Sequence, residues 1–201
     1  MVAVPLVKSF NAAYPRIAVR IIEETSGQLR DLVANGLIDV AVTNTFEPAQ
    51  GVAARQLGRE RMLLVGPPAA KLSMRRETPI KALADLPLIL TTRPNSLRLT
   101  IETGLGVHNL QPNVRFEANT LPLMTDLVMA ELGYTVLPAC GVRELLAQHK
   151  ISASPIGGLF ITWLIARPKA RSIGVAAERF YDMLCELGRK QVRAGIWESA
   201  A

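Results

Sequence analysis

The sequence predicts an α/β protein built from parallel strand–helix–strand units, and three observations carry that reading. Residues 1 to 43 alternate helix, strand, helix and strand patterns with short loops throughout. A second run, strand–helix–strand–helix–strand, extends from Leu86 to Pro138. At its head, Leu86-Pro87-Leu88-Ile89-Leu90 is a short apolar stretch suited to a strand buried on both faces. It turns abruptly polar at Thr91-Thr92-Arg93-Pro94-Asn95-Ser96, and Asn95 or Ser96 is placed to cap a helix that starts at Leu97. Strand, polar turn and helix N-terminus is the arrangement with which open α/β sheets hold polar small molecules and anions. An ordinary polar loop between strand and helix is the plainer alternative.

Each element has its own warrant. Val4 to Tyr14 carries apolar residues at helical spacing, and Pro15 stops it. Ile17 to Glu23 is rich in β-branched residues and predicts a strand. Ser26 is a plausible cap for a helix with Leu29, Leu32 and Val33 inward, closed by Asn35-Gly36. Leu37 to Thr43 reads as a strand, Val52 to Arg61 as an extended segment, and Met62 to Gly66 as a buried strand stopped by Pro67-Pro68. The irregular basic stretch after it marks a crossing into a second lobe. Ile80 to Leu86 makes a short helical turn. A helix over Leu97–Val107, a strand over Asn113–Glu117, a helix over Leu121–Leu132 and a strand over Tyr134–Leu137 follow. Ala139–His149 is helical, Phe160–Ala166 a strand, and Ser172–Arg193 a long closing helix.

Composition narrows the function. At 49% hydrophobic and 20% charged residues the chain can build a packed core. A formal charge of +6 invites a nucleic-acid reading. The basic residues are scattered, however, with Arg75-Arg76 and Arg189-Lys190 the densest clusters and no aromatics interleaved to stack on bases. Cys140 and Cys185 match no metal or redox spacing and read as buried free thiols. Met1 to Tyr14 lacks the basic start of an export signal, and no apolar run approaches the ~18 residues of a membrane span, so a cytoplasmic protein is expected. Enzymatic chemistry finds no footing. His108 and His149 have no Ser, Cys or carboxylate at triad spacing, and Gly104-Leu105-Gly106 lacks the third glycine of a dinucleotide fingerprint. Cys140 at a helix start has no base in view. No cofactor or metal is expected.

Several local patterns coincide in order: Phe10…Tyr14-Pro15, Ser26-Gly27-Gln28-Leu29, Gly36-Leu37-Ile38-Asp39-Val40-Ala41-Val42, Leu86-Pro87-Leu88-Ile89, Glu117 before a helix, Leu132-Gly133-Tyr134-Thr135-Val136-Leu137-Pro138, and Trp163 in a late strand. The set resembles the effector-binding domain of LysR-type transcriptional regulators over nearly the whole chain. The resemblance implies two Rossmann-like lobes of periplasmic-binding-protein type joined by two crossover strands, with a small-molecule inducer in the cleft between them. Lobe one would be residues 1–66 plus 162–201, and lobe two residues 67–161. The family's winged helix-turn-helix and the first strand of lobe one, with its polar turn, are expected to be missing from this chain. DNA would then be reached only through that N-terminal domain, and the chain would form a homodimer or tetramer, with Leu6, Phe10 and Ile22 candidates for the shared face and core packing an equally good account of any one of them.

Carried over by position, the inducer would meet Thr25 and Ser26, the crossover near Thr43 to Thr45, the turn Thr91, Thr92, Arg93, Asn95 and Ser96, and Asn119 with Thr120. Hydroxyls and amides orient a ligand through neutral hydrogen bonds. Arg93 is the candidate counter-charge for a carboxylate, since its guanidinium offers a two-pronged fork. Helix capping is the competing account of Thr25 and Ser26, and a solvated surface position that of Arg93. Asp39 and Glu117 read as structural partners. A solute-binding protein of a transport system, with the same two-lobe architecture, is the alternative function.

Overall fold

The computed structural model describes residues 2–44, 50–169 and 172–199. Its helices are α1 (Ala3–Ala13), α2 (Ser26–Ala34), α3 (Ser96–Gly106), α4 (Leu121–Met129), α5 (Ala139–Ala147) and α6 (Val175–Arg193). Its strands are β1 (Ala41–Thr43), β2 (Val52–Gly66), β3 (Leu88–Leu90), β4 (Val114–Glu117), β5 (Tyr134–Pro138) and β6 (Ser152–Pro168), hydrogen-bonded in the order β1-β6-β2-β5-β3-β4. Contacts divide the chain into two compact units, 1–60 with 162–201 and 61–161. β2 and β6 are long because each runs from one unit into the other.

Unit 1 is built on α1 and α6. Leu6 turns inward to a core shared with Ile165, Leu184, Cys185 and Trp197, and Phe10, one helical turn on, is buried as well. Phe10 meets Phe180 edge to face at 5.1 Å. β1 pairs antiparallel with β6 through Ala41↔Ala166 to Thr43↔Leu164. The strand expected over 17–23 does not form: these residues are irregular and mostly exposed. β-branched composition makes a strand only where a partner ladder is available. Among the described residues no strand pairs with this segment. The strand expected over Leu37–Thr43 is confined to Ala41–Thr43, the residues that pair with β6.

Unit 2 holds the parallel core. β3 pairs parallel with β4 on one side and with β5 on the other, and β2 closes against β5 antiparallel through Met62↔Pro138 to Val65↔Thr135. All three residues of β3 are buried, as an apolar run flanked on both edges requires. Leu63, Val65, Ile89, Val128, Leu137 and Val142 form the heart of its core. Gly133 lets β5 approach the preceding loop closely: a Cβ there would stand 2.5 Å from the Pro87 carbonyl oxygen, which accepts the Tyr134 N–H at 2.9 Å.

Candidate functional site

Because β3, β4 and β5 run parallel, the helices that follow them, α3, α4 and α5, all start at the carboxyl edge of the same sheet. That edge gathers backbone N–H groups and the positive ends of three helix dipoles. The Asn95 side chain caps α3 by accepting the Leu97 N–H at 2.9 Å, whereas Thr120 and Pro138, which precede α4 and α5, make no side-chain cap.

The two turns at this edge are joined. Asn119 Oδ1, after β4, accepts both the Thr92 N–H and the Thr92 hydroxyl at 2.9 Å. The Ala118 N–H donates to the Leu90 carbonyl at 2.9 Å and sets the register of the two turns. Thr91, 4% exposed, keeps its hydroxyl buried with no hydrogen-bond partner among the described residues. A buried donor left unmatched costs free energy, and native structures concentrate such groups at functional positions. Ser96 opens α3, its carbonyl accepting the Thr100 hydroxyl at 2.8 Å. Thr120 lies exposed beside Asn119.

Beneath the turn lies an ion network that single-residue reading of the sequence missed. Arg98 is buried, 8% exposed by its side chain, and pairs with Glu102 one helical turn on. Its guanidinium also donates to the Thr91 carbonyl at 3.2 Å and meets Glu117 at 3.3 Å. Arg93, 67% exposed, closes its fork on the same Glu102 carboxylate through Nε (3.0 and 3.1 Å) and Nη2 (2.7 Å). Burial pushes the Glu102 carboxyl up, but the hydrogen bonds from Arg93 and Arg98 outweigh it and hold the group below the ordinary glutamate range. The same contact, led by the hydrogen bond to Glu102, raises Arg93. Arg93 was expected as a counter-charge for a ligand carboxylate; its fork is engaged by Glu102. The i, i+4 spacing of Arg98 and Glu102 was the available signal. Glu117, read as a structural partner, is one.

In unit 1 the second polar cluster sits at the start of α2. Thr25 is the cap, in a reciprocal capping box with Gln28, so the capping role expected of Ser26 belongs to its neighbour. The Ser26 hydroxyl instead donates to Asn44 Oδ1 and accepts the Asn44 N–H at 3.2 Å. Asn44 follows Thr43, the buried end of β1; Thr45 lies outside the described residues. The structure therefore brings Thr92 to Asn119 and Ser26 to Asn44, each within its own unit.

Among the described residues no helix is long and apolar enough to cross a membrane. Residues 1–188 match the LysR substrate binding domain family. A curated relative, the HTH-type transcriptional regulator BbuR of Bordetella bronchiseptica, is 26% identical over 186 residues, covering 92% of this chain and 57% of its own length. The chain thus spans about half the length of such relatives. The effector-binding domain of QuiR in complex with shikimate superposes with a TM-score of 0.80 at 20% identity, covering 94% of this chain and 91% of that one. The BenM effector-binding domain with its effector benzoate gives 0.78 at 16% identity, covering 99% and 90%. Fold and a family match over nearly the whole chain agree: this chain belongs to the LysR substrate binding domain family, the effector-binding domain of LysR-type regulators.

Proposed function

We propose that this domain senses a small organic carboxylate for a transcriptional regulator, and that the acid is received by neutral donors. The observation that carries the reading is the joining of the Thr92 and Asn119 turns at the carboxyl edge of three parallel strands. There the Thr91 hydroxyl, the amide N–H groups of Asn95 and Asn119, Ser96, Thr120 and the uncapped start of α4 face an incoming anion, and the Thr92 hydroxyl, whose proton goes to Asn119 Oδ1, holds that amide in place. The ligands named for QuiR and BenM, shikimate and benzoate, are both carboxylates, which supports that class. Thr25, Ser26 and Thr43 are the proposed contact residues of unit 1. Arg93 acts indirectly, by holding Glu102 and the turn in place.

The two units serve as the two lobes of the sensor. An effector with unequal affinity for two arrangements of the domain shifts their populations by that difference. The response passes through a homo-oligomer to DNA-binding domains carried elsewhere in the regulator. The curated relatives bear regulator names, and nothing in the comparisons favours the transport alternative.

A thermal-shift titration with shikimate, benzoate and related aromatic and hydroxylated acids tests the reading. A binding acid stabilises the native state by about 2.7 kcal/mol at a hundredfold excess over Kd. Thr92→Val, which keeps the backbone bond to Asn119 but removes the hydroxyl, is expected to abolish the shift. A full shift retained in Thr92→Val, or no acid shifting the wild type, refutes it.

A further inference from the structure

Beyond the last turn of α6 the chain doubles back and is fastened. Gly195, at φ +66°, makes the reversal, and the N–H groups of Ile196 and Trp197 donate to the Gln191 carbonyl at 3.0 and 3.2 Å. Glu198 then exchanges two backbone hydrogen bonds with Arg59: its N–H reaches the Arg59 carbonyl at 2.7 Å, and the Arg59 N–H reaches the Glu198 carbonyl at 3.0 Å. Between these anchors Trp197 is 6% exposed. Its ring lies against Gly58, where a Cβ would come within 3.1 Å of it. It stacks on Trp163 with centroids 6.3 Å apart and planes 26° from parallel. Trp163 in turn donates its indole N–H to the buried Glu60 carboxylate at 2.8 Å.

These contacts share one address in the chain. Gly58, Arg59 and Glu60 are the last residues of unit 1 on β2, before the chain leaves at Arg61. Trp163 is the second residue of unit 1 after β6 brings the chain back at Thr162. We propose that residues 194–199 form a strap that braces both crossover strands where they leave unit 1, and so sets the stiffness of the two-strand connection. Burial of Trp197 alone would make it one more core residue. The exchange with Arg59 is different, because it buries no side chain and instead locks the backbone of β2 to the C-terminal segment. Trp163 extends the lock to β6, its ring held on one side by Trp197 and at its N–H by Glu60.

Hydrogen exchange on the whole chain tests the brace without any ligand, comparing wild type, a deletion of residues 196–201, and Glu198→Pro. The proline removes the N–H given to the Arg59 carbonyl while leaving Trp197 in place. The deletion is expected to speed exchange in peptides covering 58–60 and 162–163 by about tenfold, and Glu198→Pro by about threefold at 58–60, with α1, β3 and β5 unchanged. In the deletion Trp163 is the sole tryptophan, and its emission is expected to shift to the red as its ring loses cover. Unchanged exchange at 58–60 in both variants overturns the proposal. So does equal acceleration in α1 and β5, which would mark a general loss of stability. Should the deletion fail to fold, Glu198→Pro decides alone.

Discussion

Replacing Arg98 with Met gives the sharpest test of the network beneath the Thr91–Ser96 turn. The side chain is 8% exposed and holds three acceptors: the Glu102 carboxylate, the Thr91 carbonyl and the half-exposed Glu117. Methionine keeps much of the volume and removes the charge, which isolates the electrostatic part. Breaking a buried pair from one side costs 3–5 kcal/mol where the remaining charge has no other partner. Here Glu102 keeps the fork of Arg93, so the cost falls at the low end, about 3 kcal/mol. Arg93→Ala is the control: that pair lies largely in solvent at the arginine end, and its loss is expected to cost much less than that of Arg98. Urea unfolding at pH 7 measures both. The dependence on acid gives a second reading. Glu102 is held below the ordinary range when folded, so its contribution is present above the unfolded value, about 4.3, and fades as pH falls through the folded one. The gap between wild type and Arg98→Met should therefore narrow below about pH 4. Equal costs for the two variants, or a gap that widens in acid, would refute the reasoning.

Two further substitutions address the scaffold. Gly133→Ala places a methyl group 2.5 Å from a backbone carbonyl that cannot yield without moving the start of β5, and is expected to destabilise unit 2 by about 2 kcal/mol in urea unfolding. Thr25→Ala breaks the capping box of α2 at a cost of about 1 kcal/mol, read in the same assay, while Gln28→Ala, which removes only half of the box, should cost less.

Helices and the parallel core were legible in the sequence because their signals are local. The apolar spacing of α1, α4 and α6, the cap at Asn95 and the buried run Leu88–Leu90 each declare themselves within a dozen residues. What was not legible depends on partners far away in sequence. Residues 17–23 carry strand composition and pair with no described strand, whereas Ser152–Leu159, interrupted by Pro155 and two consecutive glycines, draws no strand assignment from its sequence and is the first half of β6. There Thr78 and the 155–157 stretch bond to one another, the Thr78 N–H to the Pro155 carbonyl at 2.8 Å and the Gly157 N–H to the Thr78 carbonyl at 3.0 Å, which no neighbouring residue announces. The polar turns were visible as candidates, and Thr92 and Asn119 do meet. That Arg98 is the buried cation follows from which face of α3 turns inward, and Arg93, in the turn before α3, is occupied by Glu102 of that helix. The polar run alone does not say which face that is.

Unit 2 is one unbroken length of chain, residues 61–161, and the two parts of unit 1 precede and follow it in sequence. That connectivity imposes an order on synthesis. Every strand of the parallel core has emerged by Pro138, so unit 2 can close on itself while the rest is still being made. Unit 1 has no such freedom: β1 waits for Leu164–Ala166, and Phe10 waits for Phe180, across gaps of more than a hundred residues. Closing so long a loop is slow, and it is done most readily when the intervening segment is already compact. A nascent chain of this domain is therefore expected to carry a finished unit 2 beside an unpaired N-terminal segment. That interval exposes the apolar face of α1 and gives a chaperone its reason to bind.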